Sequence, residues 1–265
     1  MDTNVQSFAV ANLRRRPVVL ETGGFVVGID PTTTNPYINY ATPLPGAEPS
    51  GRDVTALIEA FRERGLKPRL EFAPNAAPAV EPALRAAGFG TEEEHEYLVC
   101  TPASLRTPAG IRALDGDAGG APPVVETPSC DEDFASIDAA LSEAFSGAFG
   151  ASPQGTARLR RTQENGGAVR FVRAPDGGCA GGASCSAPAV GTSELAGVGT
   201  RPLYRGHGIA AAVTAALTET MFAAGARTVW LEFTGEGSRR VYERIGYAPE
   251  GARLYMALEG RAQGD

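Results

Sequence analysis

Residues 194–217 read "ELAGVGTRPLYRGHGIAAAVTAAL". A β-prone stretch stops at Pro202, the run Arg205-Gly206-His207-Gly208-Ile209-Ala210 follows, and a long segment of alanines and leucines comes next. This pattern predicts a strand, a glycine loop and a helix, in that order. A helix N-terminus leaves backbone N–H groups unpaired and carries a partial positive charge. Glycines at that point remove the Cβ atoms that would hold a ligand away, so an oxyanion sits directly on the amides. Arg205 adds a charged, forked donor. The stretch therefore predicts a seat for a phosphate or pyrophosphate.

Two common phosphate loops do not match. A nucleotide P-loop needs Gly-Lys-Ser/Thr, and this loop has no lysine. The dinucleotide fingerprint needs a third small residue, which only Ala211 offers, and a clear strand-end acid about 20 residues on, which is missing. What remains is Arg-x-x-Gly-x-Ala between a strand and a long helix. It resembles the signature of the GNAT N-acetyltransferase superfamily, Arg/Gln-x-x-Gly-x-Gly/Ala at that junction. The resemblance covers roughly residues 110–258, and the preceding strand, "SRRVYERIGY" and its Gly-aromatic turn fall in family order.

The resemblance implies acetyl-CoA as cosubstrate. It places the backbone of Val198, Gly199 and Thr200 along the pantetheine arm, and Arg205, Gly206, His207, Gly208, Ile209 and Ala210 around the pyrophosphate. Transfer to an amine needs a base, an oxyanion stabiliser near Val198 and a proton for the departing thiolate. Glu194 is the expected base, in alternation phase with Ala196, Val198 and Thr200 unless Gly197 or Gly199 introduces a bulge. Tyr242 matches the tyrosine of the family's last helix and is the expected acid. A phenol of pKa about 10 lends its proton to a less basic thiolate. Tyr204 and Tyr255 are second choices. Ser238 lies one helical turn before Tyr242 and is expected at the cofactor. The asparagine that the family often has near Gly235 is absent here, so that contact is not carried over.

The chain also repeats itself. "VTALIEAFRERGLKPRLEF" (54–72) parallels "VTAALTETMFAAGARTVWLEF" (213–233), and "ALRAAGFGTEEEHEYLV" (83–99) parallels "VYERIGYAPEGARLYMA" (241–257). Each pair combines helical periodicity, a glycine and a closing strand. Opposite the glycine loop, the first half has "GAEPSGRD" (46–53), where Glu48 and Asp53 add negative charge and Pro49 removes a donor. The expected organisation is α/β (α+β): two tandem GNAT-like lobes, each a mixed, mostly antiparallel sheet flanked by helices. Residues 1–105 form a degenerate lobe without a cofactor site, 106–123 a Gly- and Pro-rich linker, and 124–260 the catalytic lobe. A degenerate lobe serves as a packing partner, as a wall of the acceptor pocket, or as both.

Composition bounds the partners. A net charge of −7 with no basic tract beyond Arg14–Arg16 disfavours nucleic acid. No 18-residue apolar run or leader-like N-terminus appears, so a cytoplasmic protein without membrane association is expected. The four cysteines, Cys100, Cys130, Cys179 and Cys185, form no CxxC pair and have no histidine at ligand spacing, so no metal is expected. His95 stands beside a run of glutamates and carries no expected role. Lys67 is the sole lysine, an arginine bias that suits a GC-rich bacterial genome.

The function expected from these readings is acetyl-CoA-dependent transfer of an acetyl group to a small-molecule amine by direct attack. Two alternatives are a non-catalytic acyl-CoA-binding sensor or scaffold and a protein acetyltransferase acting on lysines or N-termini. Acceptor identity and oligomeric state are not readable from the chain.

Overall fold

The computed structural model describes residues 1–114 and 123–259. Contacts divide the chain into one unit of Met1–Tyr97 with Glu250–Asp265 and a second of Leu98–Pro249.

The first unit contains α1 (Asp2–Leu13), β1 (Val18–Thr22), β2 (Phe25–Ile29), β3 (Tyr40–Pro43), α2 (Gly51–Arg62), β4 (Arg69–Phe72) and α3 (Val80–Ala86). Most of β5 (Gly90–Cys100) belongs to it as well. Helix α2 forms because Val54, Leu57 and Phe61 recur at helical spacing and are all buried. Ser50 and Asp53 close its N-terminus as a reciprocal capping box. Strands β1, β2 and β3 pair antiparallel, and β3 meets β4 in parallel at Ala41 and Leu70. One core gathers Phe25, Val27, Leu57, Phe61, Leu70, Phe72 and Leu84.

The second unit runs through β6 (Val125–Glu126), α4 (Asp131–Ser146), α5 (Pro153–Glu164), β7 (Ala168–Arg173), β8 (Cys179–Cys185), β9 (Thr192–Thr200), α6 (Ile209–Ala223), β10 (Thr228–Glu232) and α7 (Gly235–Arg244). Strands β6 to β9 pair antiparallel in sequence order, and β10 joins β9 in parallel. Both units are therefore mixed, mostly antiparallel sheets with flanking helices, the fold class the sequence predicts. Helix α6 buries Ile209, Val213, Leu217 and Met221, a stripe four residues apart, in the core with Cys185, Leu195 and Tyr242.

The last strand, β11 (Ala248–Ala257), pairs antiparallel with β4 through Leu254–Ala257. Residues from Glu250 onward thus group with the first unit, whereas the sequence reading assigns them to the second lobe. The centre of the expected linker, 115–122, and the expected lobe end at 260 lie outside the described residues. The part of that linker that is described contains Ile111, buried in the second unit's core.

Candidate active site

The site begins where β9 parts from its neighbour. Thr192–Glu194 pair with Thr228–Trp230 of β10, but β9 continues to Thr200. From Leu195 to Thr200 its edge on that side has no β10 partner, which leaves backbone groups open to an extended arm. On its other side β9 pairs with β8, and the register shifts: Ser184 faces Ala196 and Gly182 faces Gly199. Two residues, Gly197 and Val198, oppose one, so this is a β-bulge, with Gly197 at φ +66°.

The bulge corrects the expected alternation. Glu194 and Ala196 share a face with Gly199, and Leu195 shares the opposite face with Thr200. Glu194 is therefore out of phase with Val198 and Thr200. Helix α4 covers the bulge closely, for a Cβ on Gly199 would meet Leu141 Cδ2 at 2.7 Å and Ala144 Cβ at 3.1 Å. Glu194 is half-buried, and its backbone carbonyl accepts from the Ser186 N–H at 2.8 Å. Burial pushes the neighbouring Cys185 thiol well up, and the Glu194 charge adds to that.

After β9 a single 3₁₀ turn, Pro202–Tyr204, leads into the glycine loop. Gly206 and Gly208 both take positive φ, +81° and +92°, which only glycine adopts readily. Gly208 caps α6 in the left-handed conformation, and no side chain bonds the first amides of that helix. This is the open N-terminus the sequence predicts. Ile209 is buried beneath it and Ala210 is half-buried.

Arg205 is exposed, and its guanidinium reaches back to the carbonyls of Thr200 and Ala144, each at 3.3 Å. The His207 Nδ1 lies 3.2 Å from the Tyr204 carbonyl and 3.1 Å from that of Arg205, which makes Nδ1 the protonated nitrogen.

Arg112 is a residue the sequence reading missed. Its N–H donates to the His207 carbonyl at 2.9 Å, and its guanidinium bonds the Gly206 carbonyl. Gly208 lies against Gly110 and Ile111, so this stretch of chain straps the loop. The only sequence signal was the apolar Ile111 within a Gly- and Pro-rich segment.

Helix α7 carries Ser238 and Tyr242 one turn apart. The Ser238 hydroxyl turns back onto the carbonyls of Thr234 and Gly235, at 2.5 and 2.8 Å. Tyr242 is 6 % exposed, packs at 6.2 Å from the Tyr247 ring, and has its pKa pushed up to about 12 by burial. It stays protonated throughout the neutral range. Tyr204 is buried in the same unit, but Tyr255 belongs to the first unit, where it packs on His95 at 5.1 Å. Among the described residues no group of three or more His, Cys, Asp or Glu is arranged to hold a metal ion. No described helix is long and apolar enough to cross a membrane.

Comparison with known proteins agrees with this arrangement. Residues 134–247 match the model of the acetyltransferase (GNAT) family. A GCN5-related N-acetyltransferase from Kribbella flavida superposes with a TM-score of 0.77 at 22 % identity, covering 99 % of this chain and 97 % of that one. A putative GNAT-family acetyltransferase from Novosphingobium aromaticivorans gives 0.57 at 20 % identity, with 98 % of both chains covered. A tandem GNAT protein from the clavulanic acid biosynthesis pathway gives 0.58 at 14 % identity, covering 97 % of this chain and 88 % of that one. No curated protein sequence matches the chain significantly. The second unit carries a GNAT-family acetyltransferase domain, and the chain as a whole has the fold of GCN5-related N-acetyltransferases, tandem forms included.

Proposed function

We propose that the second unit is an acetyl-CoA-dependent N-acetyltransferase that acetylates a small-molecule amine by direct attack. The observation that carries this reading is the uncapped, glycine-entered N-terminus of α6 next to the unpaired end of β9. A CoA thioester suits both features. Its pyrophosphate calls for free amides and cations, and its pantetheine amides call for an open strand edge. The Thr200 hydroxyl, buried without a hydrogen-bond partner among the described residues, is a further polar group in that seat.

On this reading, Gly206 to Ala210 hold the pyrophosphate with Arg205 and Arg112, and Val198, Gly199 and Thr200 pair with the arm. Ser238 flanks the same ligand. The bound cosubstrate supplies the thioester carbonyl, whose oxygen rests on the backbone N–H at the Val198 bulge. Glu194 takes a proton from the acceptor ammonium, directly or through water. The freed amine attacks the carbonyl carbon, the C–S bond breaks, and Tyr242 donates its proton to the sulfur. Tyr242 then recovers that proton from solvent. Residues 1–105 act as a lobe that kept the fold without the phosphate seat.

Calorimetric titration with acetyl-CoA, repeated with Arg205→Glu, tests the reading. One equivalent bound per chain and lost on charge reversal supports it. A folded protein that binds no acetyl-CoA overturns it.

A further inference from the structure

Two parts of the proposed seat must keep a fixed spacing. The bulge at Gly197 and Val198 faces the thioester end of the cosubstrate, and the glycine-entered start of α6 faces its pyrophosphate. One ligand gains fully from both only when they are held in register, because its second contact is then intramolecular. Arg201 stands between them, immediately after β9.

The backbone of Arg201 ties the chain on both sides. Its N–H donates to the Ala180 carbonyl at 3.0 Å, which continues the contact with β8 one residue past the end of β9. Its carbonyl accepts from the Tyr204 N–H at 2.9 Å and closes the 3₁₀ turn that launches the glycine loop. The side chain, 15 % exposed, reaches α4, where Nε donates to the Glu143 carboxylate at 2.6 Å. Its guanidinium also lies 4.5 Å from the Phe149 ring, just beyond α4, and 5.5 Å from the Tyr204 ring. An Asp176 oxygen at 3.5 Å, in the turn between β7 and β8, adds to the pairing.

These contacts join the pieces that shape the seat. Glu143 lies on α4 between Leu141 and Ala144, the residues that press on Gly199. Tyr204 directly precedes Arg205, and its carbonyl lies 3.2 Å from His207 Nδ1. Arg205 makes a second link to α4 through the Ala144 carbonyl at 3.3 Å. That link is exposed, and on the acetyl-CoA reading Arg205 gives it up when it turns to a phosphate. The Arg201 link keeps its ion pair and ring contacts and so outlasts the exchange.

We infer that Arg201 is a positioning residue for the acyl-CoA seat: through Glu143 and Tyr204 it holds the bulge and the start of α6 at the spacing one CoA molecule spans. It acts through α4 and the 3₁₀ turn and not by touching the reacting atoms. This role rests on the acetyl-CoA reading of the site and names the residue that couples its two halves. Lysine at this position keeps the charge, but it has neither the flat face for the two rings nor the fork for the carboxylate.

The test compares the whole cosubstrate with its halves on the full chain. Calorimetry measures acetyl-CoA, and NMR titration of ¹⁵N-labelled protein measures ADP and S-acetylpantetheine. The product of the two half-ligand Kd values, divided by the Kd of acetyl-CoA, is the effective concentration that linking the halves supplies. Arg201→Lys should lower this ratio about tenfold, while each half binds within about twofold of its parent affinity. Glu143→Gln removes the partner of the pair and should lower the ratio in the same direction. It also serves if circular dichroism shows the lysine variant unfolded. A residue that only stabilises the fold leaves the ratio unchanged. The inference is overturned if folded variants keep the parent ratio, or if the halves lose as much affinity as the whole. A parent chain that binds no acetyl-CoA removes the acetyltransferase reading itself. A parent that binds it, with a ratio indifferent to both substitutions, removes only the role of Arg201.

Discussion

Helices α2 and α6 occupy equivalent places in the internal repeat, yet their N-termini are built in opposite ways. At α2, the Ser50 hydroxyl accepts from the Asp53 N–H, and the Asp53 carboxylate accepts from the Ser50 N–H at 2.8 Å. The orphan amides are used internally, and a carboxylate occupies the place an anion would take. At α6, a left-handed glycine opens the helix and no side chain caps it. One sequence plan therefore yields a sealed terminus in one unit and a receptive one in the other. A similar contrast holds at the last short helix of each repeat, where buried Leu84 stands in the place of Tyr242. The hydroxyl is the difference there.

The comparison is most directly broken by giving α6 the capping carboxylate of α2. Ala211→Asp places at the third position of α6 the carboxylate that Asp53 supplies in α2, and it leaves the left-handed Gly208 in place. Acetyl-CoA binding should fall by about two orders of magnitude through lost amides and charge repulsion. Calorimetry on a variant that is folded by circular dichroism checks this, and unchanged affinity would break the comparison. Tyr242→Phe should lower kcat about 100-fold with little change in the KM for acetyl-CoA, within the range of general acid catalysis. Steady-state CoA release measures it, and an unaltered kcat would remove Tyr242 from the mechanism.

That substitution also has a signature in stability. The folded pKa of Tyr242, about 12, lies above the ordinary value near 10. Between these values the unfolded chain loses its proton first. The stabilisation is therefore complete below pH 10 and is lost as pH rises toward 12. It amounts to about 2–3 kcal/mol. Tyr242→Phe should flatten the denaturation midpoint across that window relative to the parent.

Smaller effects sharpen the contrast further. Arg112→Ala should weaken acetyl-CoA about tenfold and reduce the salt dependence of binding, because one cation leaves the loop. An unchanged Kd would make Arg112 a purely structural strap. Ser50→Ala in the first unit should cost about 1 kcal/mol of helix capping. It should leave acetyl-CoA binding as it was. Urea denaturation and calorimetry together separate these outcomes, and a change in affinity would contradict the view of α2 as a sealed terminus.

Much of this was legible in the chain. The glycine loop, the strand before it and the helix after it follow from local rules: glycine tolerates positive φ, alternation makes strands, and alanine and leucine make helices. The strand expected before the glycine loop is β9, Thr192–Thr200, and the helix expected after it is α6, Ile209–Ala223. Ser50 and Asp53 at capping-box spacing were likewise on the page, although only the negative charge of Asp53 was read from them.

What local pattern left open depends on contacts distant in sequence. The bulge that takes Glu194 out of phase with Val198 and Thr200 exists because β8 offers one residue where β9 offers two. Arg112 reaches a loop more than 90 residues away because the core takes in Ile111. The last strand groups with the first unit because Leu254–Ala257 find their partners in β4. Arg201 finds Glu143 only once α4 is laid against β9. By itself, then, the sequence determined the elements, the repeat and the glycine-entered start of α6, since dihedral preference and periodicity act within a few residues. Tertiary structure alone decided register, strand partnership and which arginine joins α4 to the turn before the glycine loop, because burial and backbone pairing join residues that no local pattern relates.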